Sequence, residues 1–117
     1  MKNPLTRKIG VIFIPVSDIE KARDWYCDIF GFPADGDLMF GHLYTLPMEG
    51  TDIILDSKIY SRENTYKISP FHINTENIVE AYQYMKEKGV KLVSEIQHEH
   101  YFTFQDQDGN NLMICQC

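Results

Sequence analysis

The sequence contains no apolar run near the roughly twenty residues that a membrane-spanning helix requires. Its start, Met1-Lys2-Asn3-Pro4, also lacks the apolar segment of a secretory signal. Seventeen acidic against eleven basic side chains give a net charge of -6, and no basic stripe could follow a phosphate backbone. Neither a P-loop nor a G-x-G-x-x-G string is present. We therefore expect a cytoplasmic protein without a nucleic-acid, nucleotide or membrane partner.

Cysteine is also scarce, since three copies do not suit the disulfide framework of a small secreted domain. We therefore expect reduced thiols. Cys27 falls in a predicted helix, whereas Cys115 and Cys117 are spaced C-x-C on a predicted strand, where alternation points both side chains to one face. A metal or redox role for this pair stays open beside a packing role as small apolar residues. The lack of a second Cys/His cluster favours packing.

What the sequence does contain is an internal repeat. Its 117 residues are 44% hydrophobic and 13% aromatic, as expected for one compact domain. A shift of 59 positions brings the two halves into register, with the matched pairs Val11 and Pro70, Asp18 and Asn77, Ile19 and Ile78, Ala22 and Ala81, Trp25 and Tyr84, and Gly50 and Gly109. Such self-similarity predicts two equivalent modules.

The first half predicts a strand, a helix and further strands. Ile9–Val16 is an apolar run of strand length. Ser17-Asp18-Ile19-Glu20 has the S-x-x-E form of a capping box that starts a helix, and Gly31 is its expected stop. Strands are then predicted over Leu38–Leu46 and Asp52–Asp56, with a further short strand around Phe32–Asp37.

The second half repeats this order after a polar linker over residues 57–67. The predicted elements are a strand over Ile68–Asn74, a helix over Glu76–Lys88, and strands over Lys91–Ile96, His100–Gln105 and Asn111–Cys115, with a turn at Asp106–Asn110. The predicted fold is α+β, with β-α-β-β-β modules at residues 5–56 and 68–117 of one domain that spans residues 1–117.

Two stretches carry a family resemblance. Val16-Ser17-Asp18-Ile19-Glu20-Lys21-Ala22, continued by Trp25-Tyr26 and Phe30-Gly31-Phe32, resembles the opening strand-to-helix signature of vicinal oxygen chelate modules. Met85-Lys86-Glu87-Lys88-Gly89-Val90 with Phe104-Gln105-Asp106-Gln107-Asp108-Gly109-Asn110 resembles the closing module, except that Gln107 stands where proline is usual. The resemblance to this glyoxalase and bleomycin-resistance superfamily implies a curved mixed sheet around a cleft, formed by one chain or by two chains of a homodimer. Such clefts bind small molecules, often through a divalent metal.

The resemblance also indicates where metal ligands should lie. Mapped onto this chain, the family's four ligand positions are Val11, Ile54, Pro70 and Met113, and none of these side chains can hold a metal. We therefore expect no metal and no other cofactor. We also expect the cleft floor to be apolar. The predicted cleft residues are Val11, Phe13, Phe40, His42, Tyr44, Ile54, Asp56, His72, Met113 and Cys115.

Other candidate sites have weaker support. A relocated metal site on His72 and Asp56 stays open as an alternative. His98 and His100 are expected to be solvated turn residues, and Asp106-x-Asp108-x-Asn110 lacks the glycine and glutamate of a calcium loop. No catalytic residue is assigned, because the sequence shows no nucleophile paired with a base.

Three functions follow as hypotheses. The first is a metal-independent protein of the bleomycin-resistance type that binds an unidentified small molecule. The second is a metal-dependent lyase, thiol transferase or ring-cleaving dioxygenase, in which the metal would polarise substrate oxygens. The third is a dimeric regulatory or interaction module.

Overall fold

A computed structural model of the chain describes all 117 residues. Two helices and seven strands alternate in the order β1 (Val11–Pro15), α1 (Ile19–Phe30), β2 (Leu43–Leu46), β3 (Asp52–Asp56), β4 (His72–Asn74), α2 (Ile78–Glu87), β5 (Lys91–Leu92), β6 (Tyr101–Gln105) and β7 (Asn111–Cys115). Neither helix is both long and apolar enough to cross a membrane.

The strands form one mixed sheet in each half of the chain. The first sheet has the order β1-β3-β2 and the second has the order β4-β7-β6-β5. In both sheets the strand that precedes the helix pairs in parallel with the last strand of its half, and the remaining pairs are antiparallel. The predicted α+β fold with a repeated module is confirmed.

Each sheet has two chemically different faces, because side chains alternate along a strand. The helix-covered face of the first sheet carries Ile14, Tyr44, Leu46, Ile53 and Leu55, all of which are buried. The opposite side of each sheet is here called the open face. Its side chains alternate along every strand with those that face the helices. Its members are Val11, Phe13, Leu43, Thr45, Asp52, Ile54 and Asp56 in the first sheet, and His72, Asn74, Tyr101, Thr103, Asn111, Met113 and Cys115 in the second.

One hydrophobic core joins the two halves. Helix α1 places Ile19, Ala22, Tyr26 and Ile29 on one side, at the spacing of an amphipathic helix, and buries all four. These residues belong to a cluster of 18 buried side chains that also includes Phe102, Phe104 and Leu112 from the second half. The two halves therefore share their apolar interior.

The start of α1 differs from the prediction. Asp18, not Ser17, is the N-cap, and its side chain accepts a hydrogen bond from Lys21 N at 3.1 Å. Ser17 instead donates through Oγ to Asp108 Oδ1 at 2.5 Å, and thereby ties the helix start to the second half. Both residue types can cap a helix, and the local sequence cannot reveal a partner 91 positions away. Asn77 caps α2 in the same way.

Several strands are shorter than predicted, and no strand forms over residues 32–37. The predicted strand Leu38–Leu46 is interrupted at Phe40 and Gly41, where two consecutive positive φ values (54° and 76°) form a tight hairpin turn before β2. An equivalent turn with positive φ at His98 and Glu99 precedes β6. The predicted strand Leu38–Leu46 is thereby divided into the bridge of Met39 with Leu43 and the shorter strand β2. In the second half the bridge of Gln97 with Tyr101 precedes β6, which confirms the predicted strand His100–Gln105.

Other boundaries move for local reasons. β5 ends after Leu92, because the amides of Val93 and Ser94 both donate to Thr103 O and so form a bulge. β1 and β4 are each shorter than the apolar runs that predicted them, Ile9–Val16 and Ile68–Asn74. The predicted linker contains one turn of 3-10 helix at Arg62–Asn64. The predicted helix stop is confirmed, since Gly31 has a left-handed φ of 78°.

Candidate functional site

The open face of the first sheet exposes large apolar side chains. Val11 and Phe13 on β1 are 38% and 45% exposed, and Ile54 on the central strand β3 lies opposite Phe13. On the second sheet, Met113 occupies the matching central position opposite His72. Seven of the predicted cleft residues lie on this face, namely Val11, Phe13, Ile54, Asp56, His72, Met113 and Cys115.

The other three predicted cleft residues lie elsewhere. Tyr44 is on the helix-covered face and only 4% exposed, and its hydroxyl accepts a hydrogen bond from Gly36 N at 3.2 Å. Phe40 is 87% exposed in the turn before β2. Because the chain reverses at Phe40 and Gly41, the predicted alternation of Phe40, His42 and Tyr44 along one strand does not occur.

His42 pairs with a buried carboxylate. Its Nδ1 lies 2.9 Å from Asp56 Oδ1, and the same oxygen accepts a hydrogen bond from Lys58 N. Asp56 is only 6% exposed, so these partners satisfy a carboxylate that burial would otherwise disfavour. The proposed relocated site on His72 and Asp56 is not assembled, because Asp56 is engaged with His42 and the metal-ligating neighbours of His72 are cysteines.

His72 belongs to a sulfur-rich cluster. The ligand atoms of His72, Cys115 and Cys117 all lie within 4.8 Å of one another. Cys115 and Cys117 are joined by a disulfide, with their Cα atoms 5.4 Å apart, which corrects the expectation that these thiols are reduced. The strand alternation that put both side chains on one face also allows them to bond. Cys27 is free and buried in α1, as predicted.

A crevice is lined by Ile12 and Ile53, from the helix-covered side of the first sheet, and not by Val11, Phe13 or Ile54 of its open face. It has a volume of about 490 Å³ and opens between β4 and the first sheet. Its lining residues are Ile12, Phe32, Pro47, Met48, Glu49, Thr51, Ile53, Phe71, His72, Ile73 and Asn74. Of the predicted cleft residues only His72 takes part. Phe32, Met48 and Phe71 lie in loops, where no periodic pattern marks a residue as part of a wall.

A buried polar network fixes the last turn of the second half against the first half. Tyr26 donates to Asp106 Oδ2 at 2.5 Å, and Asn110 donates through Nδ2 to Asp106 Oδ2 and to Pro15 O, both at 2.8 Å. Burial raises the pKa of the Asp106 carboxyl, although its hydrogen bonds oppose the rise. Burial and the neighbouring Asp106 raise the pKa of Tyr26 well above its usual value. This turn is therefore a structural joint.

The remaining candidates are also accounted for. His98 and His100 are exposed at the turn before β6, as expected. Asp106 and Asp108 are used within the protein, Asp106 by Tyr26 and Asn110, and Asp108 by Ser17. The Asp106–Asn110 segment is thus a hydrogen-bonded turn between β6 and β7.

The family's metal does not fit the positions that the resemblance assigns to it. Val11 and Ile54 lie on the open face of the first sheet, Met113 lies on that of the second, and Pro70 lies just before β4. These positions offer hydrocarbon, a proline ring and one thioether. Hard divalent ions require oxygen or nitrogen ligands, so these four positions do not form a metal centre of that kind.

Comparison with known proteins agrees with this architecture. The chain is 29% identical over 119 residues to a glyoxylase-like domain-containing protein from Didymella fabae, and the alignment covers 92% of each protein. A solved member of the Glyoxalase/bleomycin resistance protein/dioxygenase superfamily from Sphaerobacter thermophilus DSM 20745 superposes with a TM-score of 0.72, at 25% identity over 93% of this chain and 96% of that one. TnmS3, an antibiotic binding protein from Streptomyces sp. CB03234, superposes with a TM-score of 0.76, at 21% identity over 98% of each chain.

The family match covers nearly the whole sequence. Residues 8–114 match the family described as the Glyoxalase/Bleomycin resistance protein/Dioxygenase superfamily. This range includes both helices, every strand except the last residue of β7, and the turn that joins the halves. The chain therefore belongs to the Glyoxalase/Bleomycin resistance protein/Dioxygenase superfamily.

Proposed function

We propose that this protein binds a small molecule without a metal, holding an apolar or aromatic part of the guest against the open face. The observation that carries the proposal is the pair of exposed apolar side chains Val11 and Phe13, which flank Ile54 on the floor of the first sheet. Exposed apolar groups that lie together on a regular element mark binding surfaces more often than isolated ones do. The same face offers no ligand for a hard metal ion at the four family positions.

The chemistry around this floor suggests the character of the guest. Asp56 and His42 form a polar pair at one end of the first sheet, and half-buried Thr45 lies opposite Ile54. Such a surface suits a mainly apolar molecule with a few hydrogen-bonding groups. The net charge of -6 favours a neutral or cationic guest over an anionic one. The likeness in fold to an antibiotic binding protein is consistent with this class of ligand.

We further propose that two copies pair and close the open face into a cleft. In a single chain Val11 and Phe13 on this face remain partly exposed, and the crevice that His72 lines does not include them. Light scattering after size exclusion should give twice the chain mass of 13.7 kDa. A monomeric mass at working concentration would contradict the pairing.

The binding proposal is tested with a neutral apolar dye, Nile red, because the natural guest is unidentified. The wild-type protein should give saturable fluorescence that EDTA does not change. Val11→Lys places a charge on the open face and should weaken binding by about tenfold or more, as expected from the loss of one apolar contact. Val79→Lys is the matched control, because Val79 is 65% exposed on α2.

Three outcomes would contradict the proposal. One is dye fluorescence that does not saturate, another is equal loss in both variants, and the third is loss of binding with EDTA. The last outcome would favour the metal-dependent enzyme hypothesis. Circular dichroism of both variants shows whether each keeps the native fold.

A further inference from the structure

The cluster of His72, Cys115 and Cys117, here called the sulfur cluster, uses none of the four family ligand positions, although His72 lies opposite Met113 and Cys115 lies two residues beyond it. Cys115 is 4% exposed at the end of β7, while His72 and Cys117 are exposed. Their ligand atoms already lie within 4.8 Å of one another. Three side chains that can bind a metal thus meet at one accessible edge of the second sheet.

Backbone hydrogen bonds hold this cluster in place. Cys115 O accepts a bond from Thr75 N at 3.0 Å, just after β4, the strand that carries His72. The next residue, Gln116, donates through its amide to His100 O at 2.7 Å and accepts through its side chain from Ile78 N at 2.8 Å. The strand pairing and these three bonds fix Cys115 and Gln116 relative to His72, and Cys117 directly follows Gln116. His72 and Cys115 therefore require little ordering on binding.

We propose that the reduced protein binds one zinc ion through the thiolates of Cys115 and Cys117 and the imidazole of His72. Zinc lies about 2.3 Å from sulfur and about 2.0 Å from nitrogen, so tetrahedral ligands are about 3.3–3.8 Å apart. After reduction the two sulfur atoms must move apart from their bonded distance to that spacing, while His72 already lies within 4.8 Å of both. Two thiolates balance the charge of the ion, and three protein ligands leave a fourth position for water or a solute.

The disulfide and the metal are alternative states of the same two sulfur atoms. A phosphine delivers two electrons to the Cys115–Cys117 disulfide and becomes a phosphine oxide, while one water molecule supplies the oxide's oxygen and the two protons of the thiols; a dithiol supplies both electrons and protons as it forms its own disulfide. Each thiol then loses one proton as it binds the ion, so two protons are released for each zinc ion bound. Oxidation of the pair removes both thiolates, and only His72 would remain as a ligand. The site therefore binds metal only when the pair is reduced.

The donor set also predicts which ions bind. Two sulfur ligands and one imidazole prefer zinc and other thiophilic ions over magnesium, calcium and manganese, which take oxygen ligands. The nearest buried carboxylate on the open face, Asp56, belongs to the first sheet and is bonded to His42. This site differs from the oxygen- and nitrogen-rich centre that the resemblance implied. It is also independent of the proposed binding of an apolar guest, which is scored on metal-free protein.

The test is a titration of phosphine-reduced, metal-free protein with cobalt(II) under anaerobic conditions, followed by displacement with zinc. One equivalent should produce thiolate-to-cobalt charge-transfer absorption, and zinc should abolish it. Cys117→Ser, at the exposed last residue, and His72→Ala should each weaken zinc binding by at least about tenfold. Cys27→Ala and His98→Asn remove the same residue types outside the cluster and should leave binding unchanged.

Three results would contradict the zinc proposal. The proposal fails if reduced protein binds no cobalt or zinc, or if Cys117→Ser binds as tightly as the wild type. It also fails if protein oxidised beforehand with diamide binds zinc with unchanged affinity. Circular dichroism of every variant separates a lost site from a lost fold. Nile red binding by the metal-free protein stays as a separate readout of the proposed function.

Discussion

At the scale of single residues, the joint between the halves depends on Tyr26. Its buried hydroxyl donates to Asp106 at 2.5 Å. Tyr26→Phe should lower the free energy of unfolding by about 1–3 kcal/mol, because it leaves a buried acceptor with one donor fewer. Urea unfolding measures this loss. Tyr84→Phe is the control, since Tyr84 is 42% exposed and should lose less than about 1 kcal/mol. Equal losses would show that the buried bond has no special role.

The Asp106 carboxyl gives the stability a pH dependence. Burial raises its pKa in the folded state, so the folded protein holds this proton more tightly than the unfolded chain does. Its favourable contribution is therefore complete below the unfolded pKa of about 3.9 and is lost as pH rises through the folded pKa.

Asp106→Asn should therefore have a lower free energy of unfolding than the wild type, and the difference between the two should decrease as pH rises. Urea unfolding of wild type and variant between about pH 3.5 and pH 7 measures the difference. Asp37→Asn, at an exposed position, controls for the change in net charge. A difference that widens as pH rises would mean that the hydrogen bonds of Asp106 outweigh its burial.

At the scale of elements, the start of α1 uses Asp18 to cap the helix and Ser17 to contact the second half, whereas the predicted capping box gave the capping role to Ser17. Asp18→Ala should lower the free energy of unfolding by about 1 kcal/mol, because Lys21 N loses its capping acceptor. Ser17→Ala should cost less, since it removes an exposed bond to Asp108 and leaves the cap intact. Thermal unfolding followed by circular dichroism compares the two. A larger loss for Ser17→Ala would restore the capping-box interpretation.

The helices, the last strand of each half and β6 were predictable from the sequence, whereas the division of the predicted strand Leu38–Leu46 was not. Apolar periodicity and Gly31 marked α1, and β3 and β7 lie where alternation placed them. The turn at Phe40 could not be predicted from the sequence, because residues at positive φ are usually glycine or asparagine and rarely phenylalanine. That single turn also moved Tyr44 from the predicted cleft to the core.

The candidate site was predictable only in part for the same reason. Strand parity correctly put Val11, Phe13, Ile54 and Met113 on one kind of face. Parity cannot show how far two side chains on separate strands lie apart, so the pairing of His42 with Asp56 was not predicted. Nor can it show loop residues such as Phe71 beside a crevice. These contacts depend on how loops pack, which no short-range pattern encodes.

At the scale of the whole molecule, the shared core predicts that both halves unfold together. The single tryptophan, Trp25, packs against the core in the first half and reports on that half by fluorescence. Its transition in urea should coincide with the loss of ellipticity. Phe104→Ala, in the second half, should shift both curves equally and cost about 3–5 kcal/mol. Separate transitions would show that the modules are independent domains.

The repeat also has a chemical consequence. Asp56 and Cys115 end equivalent strands 59 positions apart, and each is followed by an amide that donates to the histidine carbonyl before the neighbouring strand, Ser57 to His42 and Gln116 to His100. The same backbone arrangement thus presents a carboxylate oxygen in the first half and a cysteine sulfur in the second. An exchange at Asp56 or at Cys115 would therefore change the side-chain chemistry of one half, while the equivalent position of the other half keeps its own.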